Sequence, residues 1–316
     1  MSTFADRGLC APPHQVFAAR GDVLFDSASV LVYGGDEDRS LLPSEWLAQF
    51  DADAVFRIDE EDEFGQITID RVAERVFSLR QSAQLSSWVG SLSCDRIYLD
   101  ITGLSHGVWM PLLRIMLASG KSIICLYSEP GRYTPSANPR PGEFYDLSEK
   151  VLGFRPIPSL AKLPSRSRSE SLLIPLLGFE GIRLKYLIET VEPDDRDIFP
   201  IIGVPGFEID YPFHTYEGNA DALRATRAWQ RIDFADASCP FALLNWFQKL
   251  RKEMPNRFFK IAAIGTKPHA LGALLFALRD SSSEILYDHP VKKKGRTQGV
   301  GKCHLYDVTK YWLVGH

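Results

Sequence analysis

One pattern occurs twice in this chain, and two copies of a strand, turn, helix and strand leave few folds open to it. Around residue 100 the sequence runs Asp100-Ile101-Thr102-Gly103-Leu104-Ser105-His106, continues into an apolar stretch with helical spacing, and returns as Ile123-Ile124-Cys125-Leu126-Tyr127-Ser128-Glu129-Pro130. Near the C-terminus, Ile264-Gly265-Thr266-Lys267-Pro268-His269 opens a stretch rich in Leu and Ala, which returns as Ile285-Leu286-Tyr287-Asp288-His289-Pro290. In both copies the second strand closes on Tyr-x-x-Pro ahead of a basic residue, Arg132 or Lys292. Alternating strands and helices mark a parallel sheet covered by helices. The expected fold class is therefore α/β, with two Rossmann-like parallel-sheet units, residues 1–150 and 151–316, arranged as a pseudo-dimer with a ligand between them. A length of 316 residues accommodates two domains of roughly 150 residues each.

Hydrophobic spacing fills in the elements. Strands are expected at 29–33, 54–58, 96–101 and 122–127 in the first half, and at 172–177, 198–203 and 258–264 in the second. Helical spacing covers 70–88 and 107–119, then 184–191, 221–229 and 240–253, with a further helix starting near Pro43. Residues 131–168, rich in Pro, Ser, Gly and basic side chains, read as the connection between halves, with local structure over 144–152.

Composition removes several classes of function. A formal charge of -4 gives no footprint for long duplex DNA, although Lys292-Lys293-Lys294-Gly295-Arg296 is a local basic patch. The five cysteines are scattered and odd in number, with no Cys-x-x-Cys pair, which speaks against a disulfide framework or structural zinc and for a reducing cytoplasm. Nothing resembles a leader peptide or membrane span, so the expectation is a cytoplasmic protein with no membrane partner.

Ligands of parallel sheets gather at the carboxyl ends of the strands, where amides at helix N-termini face an anion. Four such turns are marked: Gly34-Gly35, Thr102-Gly103 with Ser105, Gly178 with Arg183, and Gly265-Thr266-Lys267. Glycine allows close backbone approach, Thr and Ser add hydroxyls, and Lys267 adds a charge suited to phosphate. The bland readings are that the glycines only turn the chain, Thr102 caps a helix and Lys267 is a solvated surface lysine. Neither Gly-x-x-x-x-Gly-Lys-Ser/Thr nor Gly-x-Gly-x-x-Gly is present. His106 and His269 occupy matching points of the two copies and are the candidate proton-transfer residues if the protein is an enzyme. The run Asp59-Glu60-Glu61-Asp62-Glu63 reads as a solvated loop, and neither a metal site nor a cofactor is expected.

The turns Asp100-Ile101-Thr102-Gly103 and Gly265-Thr266-Lys267 resemble the ligand-binding turns of CARF domains, Rossmann-like sensors associated with CRISPR systems. They also resemble those of SAVED domains, which look like two fused CARF units. In those families the turn reads Asp-x-Thr-Gly or Thr-Gly-Gly-Thr-Lys, and a cyclic oligonucleotide binds across the pseudo-dimer. The resemblance covers the two repeat cores, about half the chain. It implies a nucleotide sensor in prokaryotic antiviral defence, with phosphates on the four turns. The copies differ, since Ser105-His106 stands in the first where Lys267-Pro268 stands in the second, so the halves cannot offer identical contacts. No length is left for an attached effector, so the resemblance implies either a sensor serving a separate effector protein or a phosphodiesterase, such as a ring nuclease, that cleaves the ligand. A third reading is a protein-interaction module with no small-molecule ligand.

Overall fold

A computed structural model of the chain describes residues 13–35, 37–61, 65–72, 76–140, 143–155, 157–161 and 171–314. The first half contains β1 (His14–Phe17), β2 (Ser29–Gly34), α1 (Ser44–Leu47), β3 (Val55–Glu60), β4 (Gln66–Ile69), β5 (Val76–Ser78), α2 (Ser82–Ser91), β6 (Arg96–Asp100), α3 (His106–Ala118) and β7 (Ser122–Tyr133). Three short strands follow, β8 (Pro135–Arg140), β9 (Glu143–Tyr145) and β10 (Ser148–Val151). The second half runs β11 (Ser171–Leu176), α4 (Gly181–Val191), β12 (Ile201–Gly203), α5 (Tyr211–Ala225), β13 (Asp233–Ala235), α6 (Pro240–Glu253), β14 (Phe258–Ala263), α7 (Lys267–Arg279) and β15 (Ser283–Leu286). The chain then closes with β16 (Pro290–Lys292), β17 (Thr297–Asp307) and α8 (Val308–Val314).

The architecture is α/β, as the alternation of elements requires. Among the described residues one sheet has eight strands in the order β1-β17-β7-β6-β2-β3-β4-β5. Its centre, β3-β2-β6-β7, is parallel, while β4, β5, β17 and β1 join antiparallel. A second sheet, of five strands, is parallel throughout, in the order β13-β12-β11-β14-β15, and β10-β16 and β8-β9 form two-stranded sheets. In each sheet the first long strand of the unit lies beside the strand that carries the repeated glycine turn (β2 beside β6, β11 beside β14), so both have a switch point where the order reverses. The central strands are apolar on both faces: β2 buries Val30, Leu31 and Val32, and β14 buries Phe258, Phe259, Ile261 and Ala262. Such runs suit parallel strands covered on both sides. Helices α3 and α7 touch, and one apolar cluster runs from Val108, Leu112 and Met116 of α3 to Leu271, Leu274 and Leu275 of α7.

Several expectations need correction. The division at residue 150 puts 297–307 in the second unit, whereas β17 lies along β7 in the first sheet, pairing Tyr306 with Cys125 and His304 with Tyr127. Burial accounts for its place: Cys303, His304, Leu305 and Tyr306 are all buried, as suits a strand covered on both faces and flanked by β7 and β1. Residues 70–88 do not form one helix; β5 comes first, with Phe77 buried against Ile67, before α2 begins at Ser82. Helix α5 starts ten residues ahead of the expected 221, at Tyr211 with Pro212 in its first turn, where proline is preorganised for a helix. The connection 131–168 holds β8, β9 and β10, and β10 pairs with β16. The two Tyr-x-x-Pro segments also diverge: β7 runs straight through Pro130, while β15 ends at Leu286 and Pro290 opens a new strand. Among the described residues, no helix is long and apolar enough to cross a membrane.

Candidate functional site

The four turns meet. A Cβ on Gly103 would lie 2.0 Å from the Gly34 carbonyl oxygen, and one on Gly265 would lie 2.6 Å from that of Leu177, so at each switch point the two turns press backbone to backbone. Only glycine permits this approach. Gly34, Gly35 and Gly103 are therefore a packing contact, which is the bland reading of those residues.

Lys267 joins the two pairs of turns. It is 7% exposed, and its Nζ donates to the carbonyls of Ile101, Thr102 and Leu104 at 2.6, 2.5 and 2.7 Å. Three acceptors match the three N–H bonds of an ammonium and leave no donor for a phosphate. Burial pushes its pKa well below that of an ordinary lysine, with Lys292 adding to the push and Glu37 opposing it. The expectation of a phosphate-binding lysine is thus corrected: Lys267 is a strut from α7 to the turn after β6.

Other candidates are also committed to the fold. The Thr102 Oγ1 accepts from the Ser128 amide at 2.9 Å, and the Thr102 amide donates to Asp100 Oδ1 at 2.8 Å; the helix after it is instead entered at Ser105, whose amide donates to Glu60 at 2.6 Å. Thr266 does cap its helix, accepting from the His269 amide at 3.4 Å and donating to the Ala237 carbonyl at 2.9 Å. Arg183 grips the buried Asp288 through Nε and Nη2, both at 2.7 Å, and donates through Nη1 to the Ile264 carbonyl at 3.1 Å. Glu60, from the acidic run, is an exposed strand end, and 62–64 lie outside the described residues.

Neither candidate histidine is placed for proton transfer to a ligand. His106 is 6% exposed and stacks on Tyr287 with ring centroids 4.6 Å apart; His269 is fully buried, its Nε2 3.0 Å from the Asp236 carbonyl oxygen. Burial lowers the pKa of both, that of His269 to about 4. A Cβ on Gly203 would lie 2.6 Å from that of Ala237 and 3.6 Å from His269 Cε1, so Gly203 and Ala237 form a tight surface with His269 packed beneath Gly203.

That surface is the floor of a cleft at the carboxyl ends of β11, β12 and β14, the switch point of the parallel sheet. Gly178, Gly203, Ala237, Gly265 and Thr266 form its base. Tyr133 at the end of β7, Phe179, Phe207 and Tyr211 supply aromatic walls, and Arg183 and Arg296 border it. Phe179 meets Tyr211 and Tyr133 edge-on at 5.1 and 5.3 Å, and the Tyr211 hydroxyl accepts from the Tyr133 amide at 3.2 Å. Glu180 fixes one side by accepting from the Leu147 and Ser148 amides at 2.9 and 2.8 Å. The first-sheet residues Tyr133 and Arg296 thus face second-sheet turns. The Arg296 Nε is buried without a hydrogen-bond partner. The cleft volume is about 90 Å3, below the roughly 300 Å3 of an ordinary ligand pocket.

Larger grooves lie elsewhere. One of about 810 Å3 runs past Asp26, Val30, Ala54 and Phe56 at the amino ends of β2 and β3, the end opposite to where ligands of parallel sheets bind. Another, of about 700 Å3, lies between α4, α5 and β9.

The sequence reading missed Tyr133, Phe207, Tyr211 and Arg296. Arg296 sat visibly in the basic patch, but nothing in the sequence says that β17 carries it back to the first sheet. A hydrogen-bonded chain was missed too: Glu129 Oε1 lies 2.7 Å from His304 Nε2, and His304 Nδ1 2.9 Å from His14 Nε2. It ties β7, β17 and β1 together, and burial with the neighbouring His304 pulls His14 down to about 4. Among the described residues, no group of three His, Cys, Asp or Glu is arranged to hold a metal ion. No protein-family model matches this chain, and no curated protein matches it.

Proposed function

We propose that this protein is a nucleotide sensor that binds a phosphate-bearing ligand in the cleft at the switch point of its parallel sheet, between two Rossmann-like units related as a pseudo-dimer. The observation that carries this reading is the lining: Tyr133, Phe179, Phe207 and Tyr211 beside Arg296, at the carboxyl ends of β11, β12 and β14. Aromatic faces take a nucleobase, and an arginine with an unpartnered N–H takes a phosphate. The antiviral role, and a separate effector protein to receive the signal, rest on the resemblance of the Asp100–Gly103 and Gly265–Lys267 turns to CARF and SAVED domains. Of the readings the sequence leaves open, binding is favoured over cleavage because His106 and His269 are buried and neither lines the cleft.

Equilibrium binding to a panel of linear and cyclic nucleotides is the test. Arg296→Met is expected to weaken the nucleotide that binds by about 1.5 to 3 kcal/mol, the range for a hydrogen bond to a charged group. Tyr211→Ala is expected to cost about 1 to 3 kcal/mol through lost stacking. Binding that both variants leave unchanged, or no binding across the panel, refutes the proposal and favours a protein-interaction module.

A further inference from the structure

Beside the cleft, three cations converge on one carboxylate. Glu37 Oε1 accepts from Arg296 Nη2 at 2.6 Å and lies 3.0 Å from Lys292 Nζ, while Oε2 accepts from Arg39 Nε at 2.9 Å. Burial alone would raise the Glu37 pKa; the charges of Arg39, Lys292 and Arg296 outweigh it and hold the carboxyl well below the usual carboxylate range. Lys267 adds a fourth positive charge within reach of the same carboxylate. Glu60 also acts on Lys292, but it is exposed and already accepts from the Ser105 amide. Among the described side chains the cluster therefore carries more positive than negative charge in a poorly solvated place, where like charges repel strongly.

The two carboxylate oxygens face different neighbours. Arg39 is 3% exposed and also donates through Nη1 to the Ser128 carbonyl at 2.8 Å and to the Tyr127 hydroxyl at 3.3 Å, so it is fixed. Arg296 and Lys292 have side chains 17% and 27% exposed, and Arg296 borders the cleft with its Nε unpartnered. Lys292 Nζ also donates to the Gly103 carbonyl at 2.8 Å, and of the cluster only Arg296 lines the cleft, so the contact of Arg296 with Oε1 is the side of the cluster that adjoins the cleft, and the contact of Arg39 with Oε2 is not.

We infer that Glu37 is a resident counter-anion in a phosphate subsite: a terminal phosphate of the ligand competes with Oε1 for Arg296 and Lys292, while Arg39 retains Oε2. This rests on the cleft reading above and narrows its ligand. A phosphodiester carries one negative charge, the same as the carboxylate, and gains nothing by displacing it. A terminal phosphate or pyrophosphate carries about two or more at neutral pH and draws more from two cations in a low-dielectric site. The subsite therefore selects a linear nucleotide with a terminal phosphate over a cyclic or internal phosphodiester.

Calorimetric titration with inorganic pyrophosphate tests the subsite without presuming a base. Glu37→Gln removes the competing charge and is expected to tighten pyrophosphate by about tenfold at moderate salt, a gain that Arg296→Met in the same background abolishes. Should Glu37→Gln fail to fold, Glu37→Asp keeps a charge near Arg39 but is shorter by one methylene, and is expected to shift affinity in the same direction. No gain in either variant, or a gain that survives Arg296→Met, overturns the inference. Nucleotide binding that is lost in Tyr211→Ala, with no pyrophosphate gain in either Glu37 variant, overturns this inference alone. A pyrophosphate gain with no nucleotide bound by the native protein leaves the anion subsite standing but overturns the cleft reading and, with it, the selection of a linear nucleotide.

Discussion

Replacing Lys267 by Met separates a lysine that ties α7 to the turn after β6 from one that waits for a phosphate. The ammonium has three carbonyl partners, those of Ile101, Thr102 and Leu104, and all three belong to the turn after β6 while Lys267 begins α7. Each buried carbonyl stripped of its donor costs about 1 to 3 kcal/mol. Against that loss, Met avoids the several kcal/mol needed to desolvate a buried ammonium. The net expectation is about 3 kcal/mol of lost stability, the lower end of the range for removing one member of a buried charged network. For a chain of this size that corresponds to a fall in Tm of roughly 6 °C. Urea denaturation followed by tryptophan fluorescence and by far-UV circular dichroism measures the loss and shows whether the two sheets separate before either melts. A surface lysine would give a change within about 0.5 kcal/mol. A stability loss below about 1 kcal/mol, combined with weaker binding of an anionic ligand, would refute the strut and restore the phosphate role.

Other outcomes follow from single contacts. Gly103→Ala forces a Cβ to 2.0 Å from the Gly34 carbonyl oxygen and is expected to cost about 2 to 3 kcal/mol, while Gly120→Ala, which meets no neighbouring atom but holds a positive φ, is expected to cost about 1 kcal/mol; thermal melts rank the pair. Arg183→Met leaves the fully buried Asp288 without its bidentate partner and is expected to cost about 3 to 5 kcal/mol in urea denaturation. Acid should destabilise the protein, because the pKa of His269 is lowered to about 4: between 6.5 and 4 the unfolded chain binds a proton that the folded one refuses, so stability is complete above 6.5 and falls with pH. The slope is about 1.4 kcal/mol per pH unit for that one group, and His269→Asn should flatten the pH series by that amount.

The repeated turns were legible because strand periodicity and glycine punctuation are local signals. The strands at 96–101 and 258–264, and the helices after them, lie close to where spacing puts them, and the glycines meet in matching pairs. What the sequence did not reveal is nonlocal. Lys267 follows Gly265-Thr266 as a phosphate ligand would, and only the position of the first-unit turn turns it inward. The aromatic walls come from residues with no common spacing: Tyr133 from an overlong β7, Phe207 from a loop, and Tyr211 from the start of a helix expected to begin later. Arg296 and Glu37 are 259 residues apart in sequence. Their pairing depends on β17 returning to the first sheet, which no local pattern foretells.

Photoaffinity labelling tests the central claim most directly, because it reports where a nucleotide sits. With a base-azido nucleotide chosen from the binding panel, the account predicts that label falls on peptides containing Tyr133, Phe207 or Tyr211, and that excess unmodified nucleotide protects them. Label confined to the groove between α4 and α5, or to the amino ends of β2 and β3, would contradict it.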